Sequence, residues 1–225
     1  MVKPASEARL RVLFVEGGGD RYPELASECR RAFAALFAAA GIAAKPRVVV
    51  CGGRRSAYEQ FRLAVAEGKS QSWLLVDAEE AVAAGPVFEP WTHVKLRRED
   101  KWERPAAAGD EQLHFMSVVM ETWLLADRAA LRRVFGPKLD ERKLPLVDAS
   151  LEIRDKSAVY GALELATRAT PSAGYRKGTH AFRILAQISP DSLRTLPWAS
   201  RFLQEMSRKT PLSPLHHKLP IHAAA

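Results

Sequence analysis

The sequence predicts an α/β fold, with a mainly parallel, Rossmann-like sheet flanked by helices and a helical C-terminal region. Within the first 80 residues, short apolar runs alternate with stretches whose apolar residues recur at helical spacing. The connections between them are short, which favours right-handed crossovers and parallel strands. Beyond residue 127 the pattern becomes mainly helical.

The apolar runs are rich in Val, Leu and Phe and have the length of strands buried on both faces. The predicted elements of this part are strands over residues 11–15, 47–51 and 72–76 and helices over residues 24–40 and 56–67. Each helix is followed by a glycine, which is a common helix end.

The pattern is lost between residues 83 and 112, where we predict a long irregular segment of the kind that often has a function. An apolar run follows over residues 113–119. The remaining predicted helices cover residues 120–127, 129–135, 156–170, 179–188 and 191–207. We therefore divide the chain into an α/β domain over residues 8–126, a helical region over 127–209 and a flexible tail over 210–225.

The composition is that of an ordinary globular protein, with 47% apolar and 27% charged residues among 225. No apolar stretch has the length of a membrane span, and the N-terminus has no apolar signal-peptide core. Cys29 and Cys51 lack a CxxC partner, so we interpret both as reduced structural residues. These features predict a cytoplasmic protein without membrane partners.

The formal net charge of +8 is unevenly distributed. Residues 127–209 contain 16 Lys/Arg and 9 Asp/Glu, a net of +7, and the rest of the chain has a net of only +1. A basic C-terminal part beside an acidic site suits a polyanionic substrate such as nucleic acid. A solvated basic surface without such a partner is the alternative.

Acidic residues stand where two predicted strands end. Glu16 follows the first strand, and Asp77 and Glu79 follow the third. Functional groups of open α/β sheets collect at the carboxyl ends of the strands, and carboxylate oxygens are preferred ligands of Mg²⁺ or Mn²⁺. Without a cation, the three carboxylates would repel one another. The alternatives are a solvated loop residue for Glu16 and a helix N-cap for Asp77, capping residues 79–82.

The glycines at positions 17–19 follow Glu16 directly. Neither the GxxxxGK[ST] nor the GxGxxG phosphate-binding pattern occurs there, so we interpret them as a tight turn that leaves Glu16 in the cleft.

Three further residues are candidates for the same site. Glu121 lies on an otherwise apolar predicted helix, so it needs either a metal ion or a structural partner such as an arginine. Lys177 is a candidate phosphate contact, and His180 a candidate general acid for a leaving oxygen. A solvated lysine and a capped surface histidine are the alternatives. Basic residues that extend this rim are Arg154, Lys156, Arg176 and Arg183.

The motifs Glu16-Gly17 and Asp77-Ala78-Glu79 resemble the TOPRIM domain of type IA topoisomerases, bacterial primases and the OLD class of nucleases. The resemblance covers about residues 10–125. The second acid of the pair is Glu79, where that family usually has an aspartate. The resemblance implies a TOPRIM-like fold and Mg²⁺- or Mn²⁺-dependent hydrolysis of nucleic acid, with metal ligands at Glu16, Asp77 and Glu79. Glu121, a candidate from its place on the apolar helix, would assist with a second ion.

Three other segments resemble a bacterial TOPRIM-like family that is often encoded beside AAA- or ABC-type ATPases in anti-phage defence loci. They are residues 120–127, 137–138 and 175–180. The resemblance implies an ATPase partner and a nuclease role in phage defence, with DNA favoured over RNA. Self-association is left open.

Two other functional classes compete with a nuclease. The first is a non-catalytic TOPRIM-like subunit that binds an ATPase or nucleic acid. The second is a small-molecule enzyme, such as a methyltransferase, that binds a nucleotide cofactor at the glycine turn. Against the second, the strand that should end in a ribose-binding acid ends in Cys51-Gly52-Gly53.

Overall fold

A four-stranded parallel sheet forms the centre of the structure, a computed structural model that describes residues 9–18, 23–82 and 88–208. Its strands are β1 (Leu10–Val15), β2 (Arg47–Val50), β3 (Ser70–Asp77) and β4 (Leu113–Met116). They lie in the order β2-β1-β3-β4, and all three neighbouring pairs are parallel. The predicted α/β class and parallel sheet are confirmed.

Both faces of the sheet are buried, which explains why the strands read as continuous apolar runs. Side chains alternate along each strand, so Leu13 and Leu75 enter one hydrophobic cluster while Phe14 and Leu74 enter the other. The strand ends of this buried sheet provide fixed positions for the residues that follow them.

The helices α1 (Pro23–Ala39) and α2 (Arg54–Glu67) cover opposite faces. Cys29, Phe33 and Phe37 of α1 join the first cluster, and Tyr58 and Phe61 of α2 join the second. The short helix α3 (Pro90–Leu96) lies on the α2 side, where the ring of Trp91 packs 6.0 Å from that of Phe61.

The C-terminal helices pack against the α1 face. They are α4 (Met120–Leu125), α5 (Arg128–Phe135), α6 (Lys156–Thr167), α7 (Lys177–Leu185), α8 (Pro190–Arg194) and α9 (Pro197–Ser207). Helix α7 contacts α1, and α9 contacts β4. One buried cluster joins residues from both sides of position 126, so the division there stays a prediction of chain organisation rather than a break in the core.

Two predictions of secondary structure are wrong. The segment predicted as irregular over residues 83–112 contains α3, whose seven residues are too few to show a clear period. The single helix predicted over 191–207 is two helices, α8 and α9. Pro197 begins the second because proline has no N–H to donate within a continuing helix.

Other predicted boundaries shift by a few residues; α7 begins at Lys177 rather than at residue 179. The predicted tail over residues 210–225 lies outside the described residues. Cys29 and Cys51 are both buried, and burial raises the pKa of the Cys29 thiol to about 12. Among the described helices, none has both the length and the apolar character needed to cross a membrane.

Candidate metal centre

The candidate site lies where β1 and β3 end, at the carboxyl edge of the sheet. Glu16 follows β1, Asp77 is the last residue of β3, and Glu79 stands two positions further. One carboxylate oxygen from each of these three residues lies within 4.8 Å of the other two. The structure therefore brings together the acidic residues predicted from the strand ends, and we call this group the acidic triad.

Glu16 is held by backbone bonds on both sides. Its own N–H donates to the carbonyl of Leu75 (3.1 Å). The next residue, Gly17, exchanges two hydrogen bonds with Gly52, of 2.9 and 3.0 Å, which tie the loop after β1 to the loop after β2. The Glu16 carboxylate then accepts the backbone N–H of Asp77 at 3.1 Å. The two strand ends are thus joined directly at the triad.

Gly18 is required by both conformation and space. Its φ of +77° lies in the left-handed region that favours glycine. A Cβ atom at this position would lie 2.5 Å from Val50 Cγ1 and 3.1 Å from Ala26 Cα. Gly18 therefore allows the chain after Glu16 to pack closely against Val50 of β2 and Ala26 of α1.

The Asp77 carboxylate is buried and divides its two oxygens between different partners. Oδ1 accepts the backbone N–H of Met120, in the first turn of α4, at 2.8 Å. Oδ2 lies 3.8 Å from Lys177 Nζ. The proposed N-cap of residues 79–82 is wrong, because that segment is not helical; Asp77 instead stabilises the start of α4.

Glu79 has a left-handed backbone with φ of +70°, which is uncommon for a residue with a side chain. Its N–H donates to the carbonyl of Val118 at 2.8 Å, and its carboxylate bonds to the ammonium of Lys156. Sparsely populated backbone conformations cluster at functional sites, and here the conformation brings the third carboxylate into the triad.

Arg54, the first residue of α2, is a site residue that was not predicted. Its Nη1 lies 3.9 Å from Glu16 Oε2 and donates to the carbonyl of Asp77. The rest of the guanidinium is held by Asp100, through bonds of 2.9 and 2.6 Å, and stacks over the Trp102 ring at 4.7 Å. The sequence signal that could have indicated Arg54 is its position directly after Gly52-Gly53, in the loop that follows β2.

Lys177 lies between two carboxylates, since its Nζ is 3.8 Å from Asp77 and 3.8 Å from Glu121. The Glu121 carboxylate is fully buried and accepts the hydroxyls of Tyr175 (2.8 Å) and Tyr160 (3.2 Å). Burial lowers the pKa of Lys177, but the two carboxylates outweigh it and raise the pKa above its usual value. Lys177 is therefore a firmly charged ammonium beside the triad.

Glu121 lies outside the triad, and its partners are a lysine and two tyrosines rather than an arginine. Its role as a metal ligand stays a prediction.

His180 is buried and its contacts are structural. Its Nδ1 accepts the backbone N–H of Arg176 at 2.9 Å, and its ring packs 4.9 Å from that of Phe135. Burial and the charges of Arg176 and Arg183 lower its pKa. Within the described residues it makes no hydrogen bond to the triad, so the structure does not bring this predicted general acid to the site.

The predicted basic rim is only partly at the site. Lys156 contacts Glu79, whereas the side chains of Arg176 and Arg183 are exposed to solvent.

The carboxylates of the site are under electrostatic strain. Burial, followed by repulsion from Glu16, raises the pKa of Asp77 well above its usual value. Burial also raises the pKa of Glu16, although Arg54 opposes this. The groups in contact are four carboxylates (Glu16, Asp77, Glu79, Glu121) and three cations (Arg54, Lys156, Lys177). The acids outnumber the bases by one, and Arg54 is shared with Asp100.

Two cavities meet at Glu16. A polar groove of about 710 Å³ extends along α2 and the segment after α3. Acidic and basic side chains line it, including Arg54, Glu79 and Lys101. A smaller cavity of about 270 Å³ lies between the triad and α7. A ligand bound at the triad can therefore extend into both cavities.

A family model described as a domain of unknown function (DUF4276) matches residues 15–207, a range that includes the triad, Arg54, Glu121 and Lys177. No curated protein and no solved structure matches the chain.

Proposed function

We propose that the chain, which belongs to the DUF4276 family, hydrolyses phosphodiester bonds of nucleic acid with Mg²⁺ or Mn²⁺ as its cofactor. The observation that carries the proposal is the convergence of Glu16, Asp77 and Glu79 within 4.8 Å at the carboxyl edge of a parallel sheet. The proposal includes a TOPRIM-like assignment of the fold and a cytoplasmic location, with DNA favoured over RNA.

The donor set fits the proposed ion. All three ligands are carboxylates, which suit hard cations such as Mg²⁺ and Mn²⁺. Burial and mutual repulsion raise the pKa of Asp77, so a cation would relieve an unfavourable interaction already present in the protein. When bound, the ion would supply an activated water and offset the charge developing on the scissile phosphate.

The chain's own groups would orient the substrate. Lys177 is charged, is half-exposed and lies 3.8 Å from Asp77, so it can pair with a non-bridging phosphate oxygen. The buried carboxylate of Glu121 contacts the same ammonium at 3.8 Å. Arg54 fixes Glu16 through its contact with that carboxylate. In this proposal His180 has a structural role, because its Nδ1 is already bonded to the backbone.

The charge of the chain supports nucleic acid as the substrate. Residues 127–209 carry a net +7 and include the helix that bears Lys177. Such a surface attracts a phosphate backbone irrespective of sequence. We extend the proposal to an AAA- or ABC-type ATPase partner in phage defence, on the sequence resemblance alone.

A non-catalytic subunit is the second candidate, and one observation favours it. Each carboxylate of the triad already has a cationic contact: Arg54 for Glu16, Lys177 for Asp77 and Lys156 for Glu79. Part of the acidic charge is thus compensated within the protein. Such a subunit would bind its ATPase or nucleic acid through the same surface without cleaving.

Nicking of supercoiled plasmid in Mn²⁺ tests the proposal. We expect wild-type protein to cleave, and Glu16→Gln and Asp77→Asn to lose cleavage by at least about 100-fold while remaining folded. Glu103→Gln, an exposed carboxylate of the neighbouring groove, is the control for charge removal and should cleave normally. Absence of cleavage by folded wild-type protein, on plasmid and on RNA, would favour the non-catalytic subunit.

A further inference from the structure

The cavity between the triad and α7 differs in chemistry from the polar groove on the other side of Glu16. Carboxylates and Lys177 form one end of it, and the remainder of its wall is apolar or glycine. Its apolar lining residues are Leu25, Met116, Met120, Ala181 and Phe182. A charged end and an apolar end thus share one partly open cavity.

The size of the cavity limits what can occupy it. Its volume of about 270 Å³ lies just below the range of about 300–1,000 Å³ that is usual for small-molecule pockets. It has room for one ring system but not for a base pair. Methionine side chains adapt to flat ligands, and the ring of Phe182 can stack on one.

The glycine of α7 leaves space at the wall of the cavity. Gly178 lies in the first turn of the helix and lines the cavity. A Cβ atom added there would meet only Leu25 Cδ1, at 3.9 Å. This position is therefore open toward the cavity.

We infer that this cavity binds a single unpaired nucleobase of the substrate, attached next to the phosphate that reaches the triad. The inference rests on the proposed function and specifies its substrate as single-stranded or locally unpaired nucleic acid. A base within an intact duplex cannot enter a pocket of this size unless it leaves the stack. A small, largely apolar cavity beside the proposed phosphate-cleaving centre has this occupant as its chemical complement.

Photocrosslinking locates the base without depending on cleavage. A short single-stranded oligonucleotide carrying one 5-iodouracil is bound in Ca²⁺, irradiated and digested with trypsin. We expect the crosslink on the peptide covering residues 178–183, which contains Phe182. Crosslinks confined to peptides that hold no residue of the cavity wall, or no crosslink at all, would overturn the inference.

A larger side chain at position 178 should occupy the cavity, and the affinity for a single-stranded oligonucleotide then tests whether a base binds there. Gly178→Leu should fold, because leucine favours a helix more than glycine does and the position is open. We expect it to weaken binding of the single strand by about tenfold, the loss typical of one stacked base. Thr179→Leu, an exposed neighbour on α7 that does not line the cavity, is the matched control and should bind as wild type does.

An abasic strand separates this inference from the proposed function. Wild-type protein should bind a strand with an abasic residue about tenfold more weakly than the intact strand, and Gly178→Leu should show no such difference. Equal binding of both strands by wild type would overturn the base pocket even if plasmid is nicked. Base-dependent binding without any nicking would instead sustain the pocket and overturn hydrolysis.

Discussion

At the scale of single residues, the acidic triad opposes stability and serves the proposed function. Burial and repulsion from the neighbouring carboxylates raise the pKa of Asp77, and a bound cation would offset this repulsion. The same residues should therefore destabilise the metal-free protein and bind metal. This coupling can be measured.

Asp77→Asn separates the two effects. Asparagine keeps an oxygen that can accept the Met120 N–H but removes the repelled charge. Without metal, we expect the free energy of unfolding in urea to rise by about 1 kcal/mol relative to wild type at neutral pH. The stabilisation of wild type by added Mn²⁺ should be absent in the variant. A variant that is less stable without metal, yet gains as much from Mn²⁺ as wild type, would contradict a metal role for Asp77.

Glu121→Gln tests whether Glu121 positions Lys177 or binds metal itself. Glutamine has the same size and can still accept one tyrosine hydroxyl, but it no longer attracts the ammonium. We expect cleavage to slow by about 10–100-fold, as for other supporting residues of metal sites. Mn²⁺ affinity should stay unchanged, as it should in the exposed α6 control Glu164→Gln. A parallel loss of Mn²⁺ affinity would identify Glu121 as a ligand.

The triad could be predicted because its acids follow short apolar runs that are recognisable as strands in the sequence. The partners of the triad were not, because their contacts join distant parts of the chain. Arg54 reaches Asp100 across 46 positions, and Tyr160 reaches Glu121 across 39. Polar contacts of this kind leave no local pattern in one sequence.

At the scale of elements, two helices depend on carboxylates supplied from elsewhere in the chain. Asp77 bonds to the first turn of α4. Glu152, in the short helical segment Ala149–Ile153, accepts the N–H groups of Trp198 (2.8 Å) and Ala199 (3.1 Å) in the first turn of α9. Neither helix has a side-chain cap of its own.

Glu152 should make stability depend on pH. Burial raises its pKa from 4.5 to about 7 in the folded protein, although the two backbone N–H bonds oppose the shift. The folded state therefore holds a proton that the unfolded state releases between these values, and this contribution to stability is lost as pH rises from 4.5 to 7. Relative to Glu152→Gln, wild type should lose about 1–3 kcal/mol of unfolding free energy over that window. If the unfolding free energies of the two proteins change with pH in parallel, the pKa of Glu152 is not raised by folding.

The turn after β1 should tolerate no side chain at position 18. Gly18→Ala places a Cβ atom 2.5 Å from Val50 Cγ1 at a φ of +77°, so we expect a loss of at least about 2 kcal/mol in unfolding free energy. Gly161→Ala is the matched control, because its Cβ meets nothing within 4 Å inside α6. That variant should gain about 0.5–1 kcal/mol. Equal effects of the two variants in urea denaturation would be inconsistent with the packing of the turn.

Elements with a clear period were predictable, and those defined by tertiary packing were not. The strands and α1 and α2 follow from apolar spacing within single segments. Helix α3 exists because Trp91 and Val94 are buried against the α2 face, a contact that its seven residues do not reveal by themselves. Pro197 marks the start of α9 in the sequence. A proline alone does not show whether the helix before it ends or bends, so the separation of α8 from α9 could not be predicted.

At the scale of the whole molecule, the sheet assembles groups that are far apart in sequence. Glu16 and Asp77 meet because β1 and β3 are parallel neighbours. The C-terminal helices then bring Lys156 and Lys177 to the same edge. Parallel order was predictable from the alternating elements, whereas the placement of these lysines depends on the packing of α6 and α7 and had no sequence signal beyond their charge.

Binding of a divalent metal ion by the acidic triad can be measured by Mn²⁺ titration followed by electron paramagnetic resonance. We expect wild type to bind Mn²⁺ and E16Q/D77N/E79Q, verified as folded, not to bind it. The control E59Q/E99Q/E103Q removes the same charge from the adjacent groove and should bind as wild type does. Undiminished binding by E16Q/D77N/E79Q, or no binding by wild type, would rule out a metal site at the triad.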